Sequence, residues 1–189
     1  MNKYVISFLA AFSFISSSCV KEKLPSVTQV GANTFGCKIN GKTWIPNGTH
    51  DLFVSAPALT VSLYQSSQGV KWLDISARKD PSLFNTEEDA YDDMYLSIAL
   101  PVSAINLTII KNCGACDLYC PYSSMRFKIK GLYSGGCYAT DSLHIGVIHF
   151  SRIDTINRII SGSFEFIGID RNSGKTISVT DGRFDITAR

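Results

Sequence analysis

Leu59-Thr60-Val61-Ser62-Leu63-Tyr64, followed after a short interval by Leu73-Asp74-Ile75-Ser76-Ala77, decides the fold. Apolar residues alternate there with polar ones or a tyrosine. A period of two puts Leu59, Val61 and Leu63 on one face of an extended chain and Thr60, Ser62 and Tyr64 on the other. The pattern returns where Leu96, Ile98 and Leu100 alternate with Ser97 and Ala99. It returns again where Met125, Phe127 and Ile129 alternate with Arg126, Lys128 and Lys130. Each run predicts a strand with one face toward a core and a wetter face outward. Residues 143–150 are apolar on both faces, as a central buried strand would be, and Phe164 and Phe166 flank Glu165.

Turn signals separate these runs. Asn40-Gly41 stands between Cys37-Lys38-Ile39 and Thr43-Trp44-Ile45, a two-residue hairpin signal. Arg171-Asn172-Ser173-Gly174 separates residues 164–169 from 175–180. Near the end Ile177 and Val179 share one parity, and Phe184 and Ile186 share the other. The slip falls at Asp181-Gly182, which predicts a β-bulge with Gly182 in the left-handed conformation. About nine or ten short strands and little helix predict an all-β fold, an antiparallel β-sandwich or a small, partly closed β-barrel.

The chain has 189 residues, enough for one domain with appendages. With 45% hydrophobic and 18% charged residues it has the composition of a globular protein. A net charge of +2 and the lack of a basic run exclude nucleic acid as a partner. The one acidic run, Glu87-Glu88-Asp89-Ala90-Tyr91-Asp92-Asp93, reads as a solvated loop or a short helix capped by Thr86. It lacks the central glycine of a calcium loop.

At the front, Met1-Asn2-Lys3 is a short positive segment, residues 4–15 are largely apolar, and Ser16-Ser17-Ser18 precede Cys19. This has the layout of a secretory signal, and its apolar run is too short to span a bilayer. A cysteine straight after small residues resembles a bacterial lipobox, although Ser16 stands where leucine is usual. The resemblance implies a signal peptide over residues 1–18, removed before Cys19, and acylation of that cysteine. Residues 19–32 then read as lipid anchor and tether, and residues 33–189 as a single β-rich domain. The membrane is the expected partner, through that lipid. Lys21-Glu22 faintly resembles signals that send some lipoproteins to the cell surface. The expected address is the cell envelope, at the outer membrane, on its periplasmic face or at the cell surface.

The segment Asn33-Thr34-Phe35-Gly36-Cys37-Lys38-Ile39-Asn40-Gly41-Lys42-Thr43-Trp44 resembles the opening of a family of small lipoproteins from Bacteroidota. Ser161-Gly162-Ser163-Phe164-Glu165-Phe166, Ser173-Gly174-Lys175 and Thr180-Asp181-Gly182-Arg183-Phe184-Asp185 are similar to that family's ending. About a quarter of the chain carries the likeness. The family has no assigned activity, so the resemblance implies a one-domain lipoprotein and nothing about catalysis.

Six cysteines are present: Cys19, Cys37, Cys113, Cys116, Cys120 and Cys137. With Cys19 lipidated, five remain in an oxidising compartment. Cys37 lies in an apparent strand and reads as a buried free thiol packing as a small hydrophobe. Cys113, Cys116, Cys120 and Cys137 are then the disulfide candidates, forming two bonds around the strand at 125–131. Cys113-Gly114-Ala115-Cys116 also fits a redox pair, but no βαβ pattern surrounds it and Asp117 stands where haem attachment needs histidine. The four spacings are irregular for zinc.

No nucleophile elbow, metalloprotease helix or phosphate loop is present, so neither catalytic residues nor a metal or cofactor are expected. His144 and His149 are five apart and point to opposite faces of a strand, and His50 stands alone. Arg126, Lys128 and Lys130 form a basic stripe, read as a solvated face or as a contact for an anionic glycan or headgroup. Trp44, Trp72, Tyr119, Tyr122, Tyr133 and Tyr138 are core aromatics or a sugar-stacking platform. Asp141-Ser142-Leu143 and Asp154-Thr155-Ile156 resemble a short O-glycosylation motif used by Bacteroidota. These residues point to a non-enzymatic envelope lipoprotein that binds glycan or protein. The alternatives are a thiol–disulfide redox protein using Cys113 and Cys116, a hydrolase with unrecognised carboxylates, or a structural part of an envelope assembly.

Overall fold

The computed structural model describes residues 22–50, 55–80, 91–100, 106–109, 124–130 and 136–188. Among these residues the chain is all-β, with no helix. The strands are β1 (Thr34–Ile39), β2 (Lys42–Trp44), β3 (Thr49–His50), β4 (Ser55–Ala56), β5 (Leu59–Gln65), β6 (Lys71–Lys79) and β7 (Tyr91–Ala99). They continue with β8 (Asn106–Ile109), β9 (Ser124–Lys130), β10 (Gly136–Ala139), β11 (Gly146–Asp154), β12 (Ile159–Ile169) and β13 (Thr176–Thr187).

Eleven strands form one sheet in the order β2-β1-β13-β12-β10-β9-β7-β6-β5, with β11 beside β12 and β8 beside β11. Every pairing between these strands is antiparallel. β3 and β4 make a separate two-stranded ribbon. The sheet bends because β12 changes partners along one edge. Its residues 159–166 pair with β11, whereas Ile169 at its end pairs with Ala139 of β10. One layer is therefore β2-β1-β13-β12-β11-β8 and the other is β10-β9-β7-β6-β5. The path ends at β2 and β5, which do not pair, so the sheet is not closed into a barrel.

The layers meet through alternate side chains. Leu73, Ile75, Ala77, Met94, Leu96, Ile98, Met125 and Phe127 are buried from one side. Phe35, Phe150, Phe164, Phe166, Phe184 and Ile186 are buried from the other. Trp44 of β2 and Phe127 of β9 stand five strands apart in the sheet order. Even so, their rings lie 5.8 Å apart at 89°, an edge-to-face contact across the fold. The alternations at 59–63, 73–77 and 125–129 fall in strands as their period requires, and that at 96–100 does so up to Ala99, where β7 ends.

The hairpin at Asn40-Gly41 has φ of +48° and +80°, the left-handed pair that a two-residue turn demands. Ile39 pairs with Lys42 across it. The bulge at Asp181-Gly182 is present, since Gly36 opposes Arg183 while Lys38 opposes Thr180. Its mechanism differs from the expectation. Asp181 takes the positive φ, +52°, and Gly182 is needed for closeness. A Cβ on Gly182 would stand 2.7 Å from the Phe164 ring and closer still to the Phe164 carbonyl oxygen. Gly182→Ala is expected to destabilise the fold by about 1–3 kcal/mol, as overpacking does. Urea unfolding measures this, and a loss under about 0.5 kcal/mol would show that β12 can move aside.

Three other expectations change. Among the described residues thirteen strands stand where nine or ten were expected, because pieces of two to four residues are too short to show an alternation. Residues 143–150 are not one buried strand. Leu143 and Ile145 are 84% and 44% exposed, and β11 begins at Gly146 and alternates. The Asp141 carboxylate accepts the N–H groups of Leu143 and His144, which makes a turn there. Tyr91, Asp92 and Asp93 of the acidic run belong to β7. Asp93 is buried because Arg78 donates to both its oxygens at 2.6 and 2.9 Å. Residues 81–90 lie outside the described part.

Residues 24–32, read as tether, run without strand pairing along the outside of β1 and β13. Asp185 holds them. Its carboxylate accepts hydrogen bonds from the Thr28 hydroxyl at 2.5 Å and from the backbone N–H groups of Val30, Gly31 and Ala32 at 3.1, 2.8 and 3.2 Å. The Ser161 hydroxyl of β12 adds a fifth at 2.7 Å. Gly31 and Asn33 have positive φ, which turns successive N–H groups toward one carboxylate. Asp185 is 1% exposed. Burial alone would raise its pKa, but these hydrogen bonds, Thr28 and Ser161 first, bring it down to about 2.

Candidate functional site

The outward face of the second layer is built by the polar parity of the deciding strands. Antiparallel register lines these side chains into rows. Ser62, Asp74, Ser97 and Ser124 form one row across β5, β6, β7 and β9. Thr60, Ser76, Tyr95 and Arg126 form the next, and Arg78, Asp93 and Lys128 follow. Tyr64 and Trp72 pair at the far end. A groove of about 290 Å³ lies on this face, lined by Thr60, Ser62, Tyr64, Asp74, Tyr95 and Arg126 among others.

Its side chains are oriented by one another. The Ser97 hydroxyl donates to Asp74 at 2.7 Å. Burial first, then the charge of Asp74, pushes the Tyr64 phenol up. Tyr95 donates to Asp93 at 3.0 Å, and burial, then Asp93, raises its phenol too. Both phenols are therefore protonated donors at neutral pH. The Arg126 guanidinium lies 5.5 Å from the Tyr95 ring centre, in cation–π range. Arg126 is only 7% exposed, so the expected basic stripe is not a solvated face at this position. Lys128 is half-buried.

The lining combines three kinds of group. Aromatic faces, a row of hydroxyls and one carboxylate offer stacking together with hydrogen bonds of both signs. Among the described residues, Asp74 is the carboxylate that lines the groove.

A second groove of about 410 Å³ lies on the outside of the other layer, beside the strap, lined by Val27, His149, Glu165, Asp181 and Arg183 among others. His149 Nδ1 is 2.6 Å from Asn106 Oδ1, and Lys38 and Asp181 form an ion pair at 2.8 Å. His144 lies in the Asp141 turn, with Nδ1 2.8 Å from the carboxylate, so the two histidines are not on one strand. Among the described residues no group of three His, Cys, Asp or Glu is placed to hold a metal. Among them also, no helix is long and apolar enough to cross a membrane.

Cys37 is a free, fully buried thiol beside Phe35 and Trp44, and burial pushes its pKa up to about 12. Cys137 on β10 is disulfide-bonded. Cys19, Cys113, Cys116 and Cys120, with Tyr119, Tyr122 and Tyr133, lie outside the described residues. Of the expected aromatic platform, Trp44 and Tyr138 are core residues and Trp72 is half-buried on the outward face. Asp141-Ser142-Leu143 and Asp154-Thr155-Ile156 sit in similar exposed turns. Each aspartate accepts N–H groups two and three residues on, and Leu143 and Ile156 are 84% and 91% exposed. Sequence reading passed over Tyr64, Asp74 and Tyr95. The signal for them was the polar parity of the strands that decided the fold. No family model, curated protein or solved structure matches the chain.

Proposed function

We propose that this chain is a lipid-anchored cell-envelope protein whose β domain binds glycan, without catalysis, in the groove across β5, β6, β7 and β9. The observation that carries this reading is the composition of the groove, in which Tyr64, Tyr95 and Arg126 sit among hydroxyls around Asp74. Sugars present apolar faces for stacking and hydroxyls for a carboxylate to accept. The sequence around Cys19 supports the anchor, and the disulfide at Cys137 suits an oxidising compartment.

Calorimetric titration of the mature protein with a panel of envelope and host oligosaccharides tests the binding. At least one should bind, and Tyr64→Ala and Asp74→Ala should each weaken it by about tenfold or more. If no oligosaccharide binds, or binding is indifferent to both changes, the glycan reading is wrong.

Within the same reading, Cys113, Cys116, Cys120 and Cys137 form two structural disulfides. A thiol reagent should then find no reactive thiol in the native mature protein and one, Cys37, after denaturation without reductant. Three or more free thiols would remove the two-disulfide scheme. A Cys113–Cys116 bond that mild reductant opens in the folded protein would favour the redox alternative.

A further inference from the structure

We infer that the groove faces away from the membrane that anchors the protein, and that the Lys79 end of β6 faces toward it. The inference rests on lipidation at Cys19. The strap is the reason. Leu24 and Pro25 lie against Gly36, where an added Cβ would stand 2.8 Å from the Pro25 ring. Arg183 donates to the Pro25 carbonyl at 3.3 Å, Arg152 donates to that of Gln29 at 2.6 Å, and Asp185 takes the N–H groups that follow. Glu22, at the start of the strap, makes an ion pair with Lys79 at 2.9 Å. The chain is thus bound to the domain almost from its first residues past Cys19.

Covalent geometry then limits the leash. Three residue steps separate Cys19 from Glu22, a reach of about 11 Å at most. A domain of this size has a radius of gyration of about 15 Å, larger than the leash. The domain cannot turn over on so short a connection, so the surface where the chain leaves it lies against the headgroups. That surface is the Lys79 end of β6. The register places Lys79 opposite Asp92 at this end and Tyr64 opposite Trp72 at the other. Seven residues of strand, about 23 Å, separate the two ends. The Tyr64 end of the groove is membrane-distal. Its ligand comes from across the envelope space or from outside the cell, and not from the headgroups of the anchoring leaflet.

Energy transfer on the lipidated full chain in vesicles tests this. A fluorescent amino acid is placed at Asp80 or, in the exposed β5–β6 turn, at Gln68, and the acceptor is carried on lipid headgroups. Strong transfer from position 80 and weak transfer from position 68 are expected. Ten Gly/Ser residues inserted between Lys21 and Glu22 should shrink the difference. Equal transfer from both, or stronger transfer from 68, overturns the orientation while leaving the anchor intact. A mature N-terminus without acyl chains by mass overturns the anchor reading and the orientation with it.

Discussion

Asp185→Ala lowers the unfolding free energy by about 2–4 kcal/mol, the loss of several hydrogen bonds to one buried charge. Five donors converge on this carboxylate, three of them consecutive backbone N–H groups. Alanine leaves the Ser161 hydroxyl and the strap amides without their acceptor. The strap is exposed at Val27 and Val30, so its amides reach water by undocking, which caps the cost. Urea unfolding measures the loss. Limited proteolysis supplies a second readout, with cleavage between residues 22 and 33 in the variant and not in the parent. A variant as stable and as protected as the parent would mean that the strap is held elsewhere.

The same carboxylate makes stability depend on pH. Its folded pKa of about 2 lies below the ordinary value of 3.8. A depressed carboxylate stabilises the fold above its unfolded pKa, and that contribution disappears as pH falls through the folded one. The difference corresponds to about 2 kcal/mol, lost between pH near 4 and pH near 2. Unfolding midpoints of parent and Asp185→Ala should therefore converge across that window. A gap unchanged at pH 2 would assign the effect to packing instead of charge.

Phe127→Ala is expected to cost more, about 3–5 kcal/mol, the range for truncating a buried phenylalanine. Phe127 is 2% exposed and joins the two layers across the core. Its ring meets Trp44 edge-on, and Trp44 in turn meets Phe35 at 6.3 Å. Truncation opens a cavity between the two layers. Phe127→Leu should recover more than half of the loss, because volume matters more than the aromatic contact. Ile167→Ala, on a residue 46% exposed, serves as the control and should cost under about 1 kcal/mol. If Phe127→Ala were no worse than that control, the layers would not be packed through this ring.

Local features were legible because they depend on neighbours in the chain. The two-residue turn at Asn40-Gly41 follows from which residues tolerate positive φ. The core faces at 73–77 and 125–127 follow from a period of two. The slip between Val179 and Phe184 announced a bulge, since parity cannot change without an extra residue. The same local logic misread residues 143–150, because hydrophobicity alone does not reveal that Asp141 diverts the chain into a turn. It also placed Arg126 in solvent and Asp93 in a loop. Burying either depends on partners distant in sequence, Tyr95 for one and Arg78 for the other.

The sequence by itself determined that this chain is all-β, which strand faces are apolar, and where the tight turn falls. Only the tertiary structure decided that the sheet bends where β12 exchanges β11 for β10, and that residues 24–32 are strapped down. It also brought Tyr64, Asp74, Tyr95 and Arg126 into one groove. The physical reason is the range of the interactions. Alternation and turn chemistry act over a few residues and are written in order along the chain. Strand register, a carboxylate 155 residues from the Val30 amide it accepts, and a groove across four strands exist only once distant segments pair.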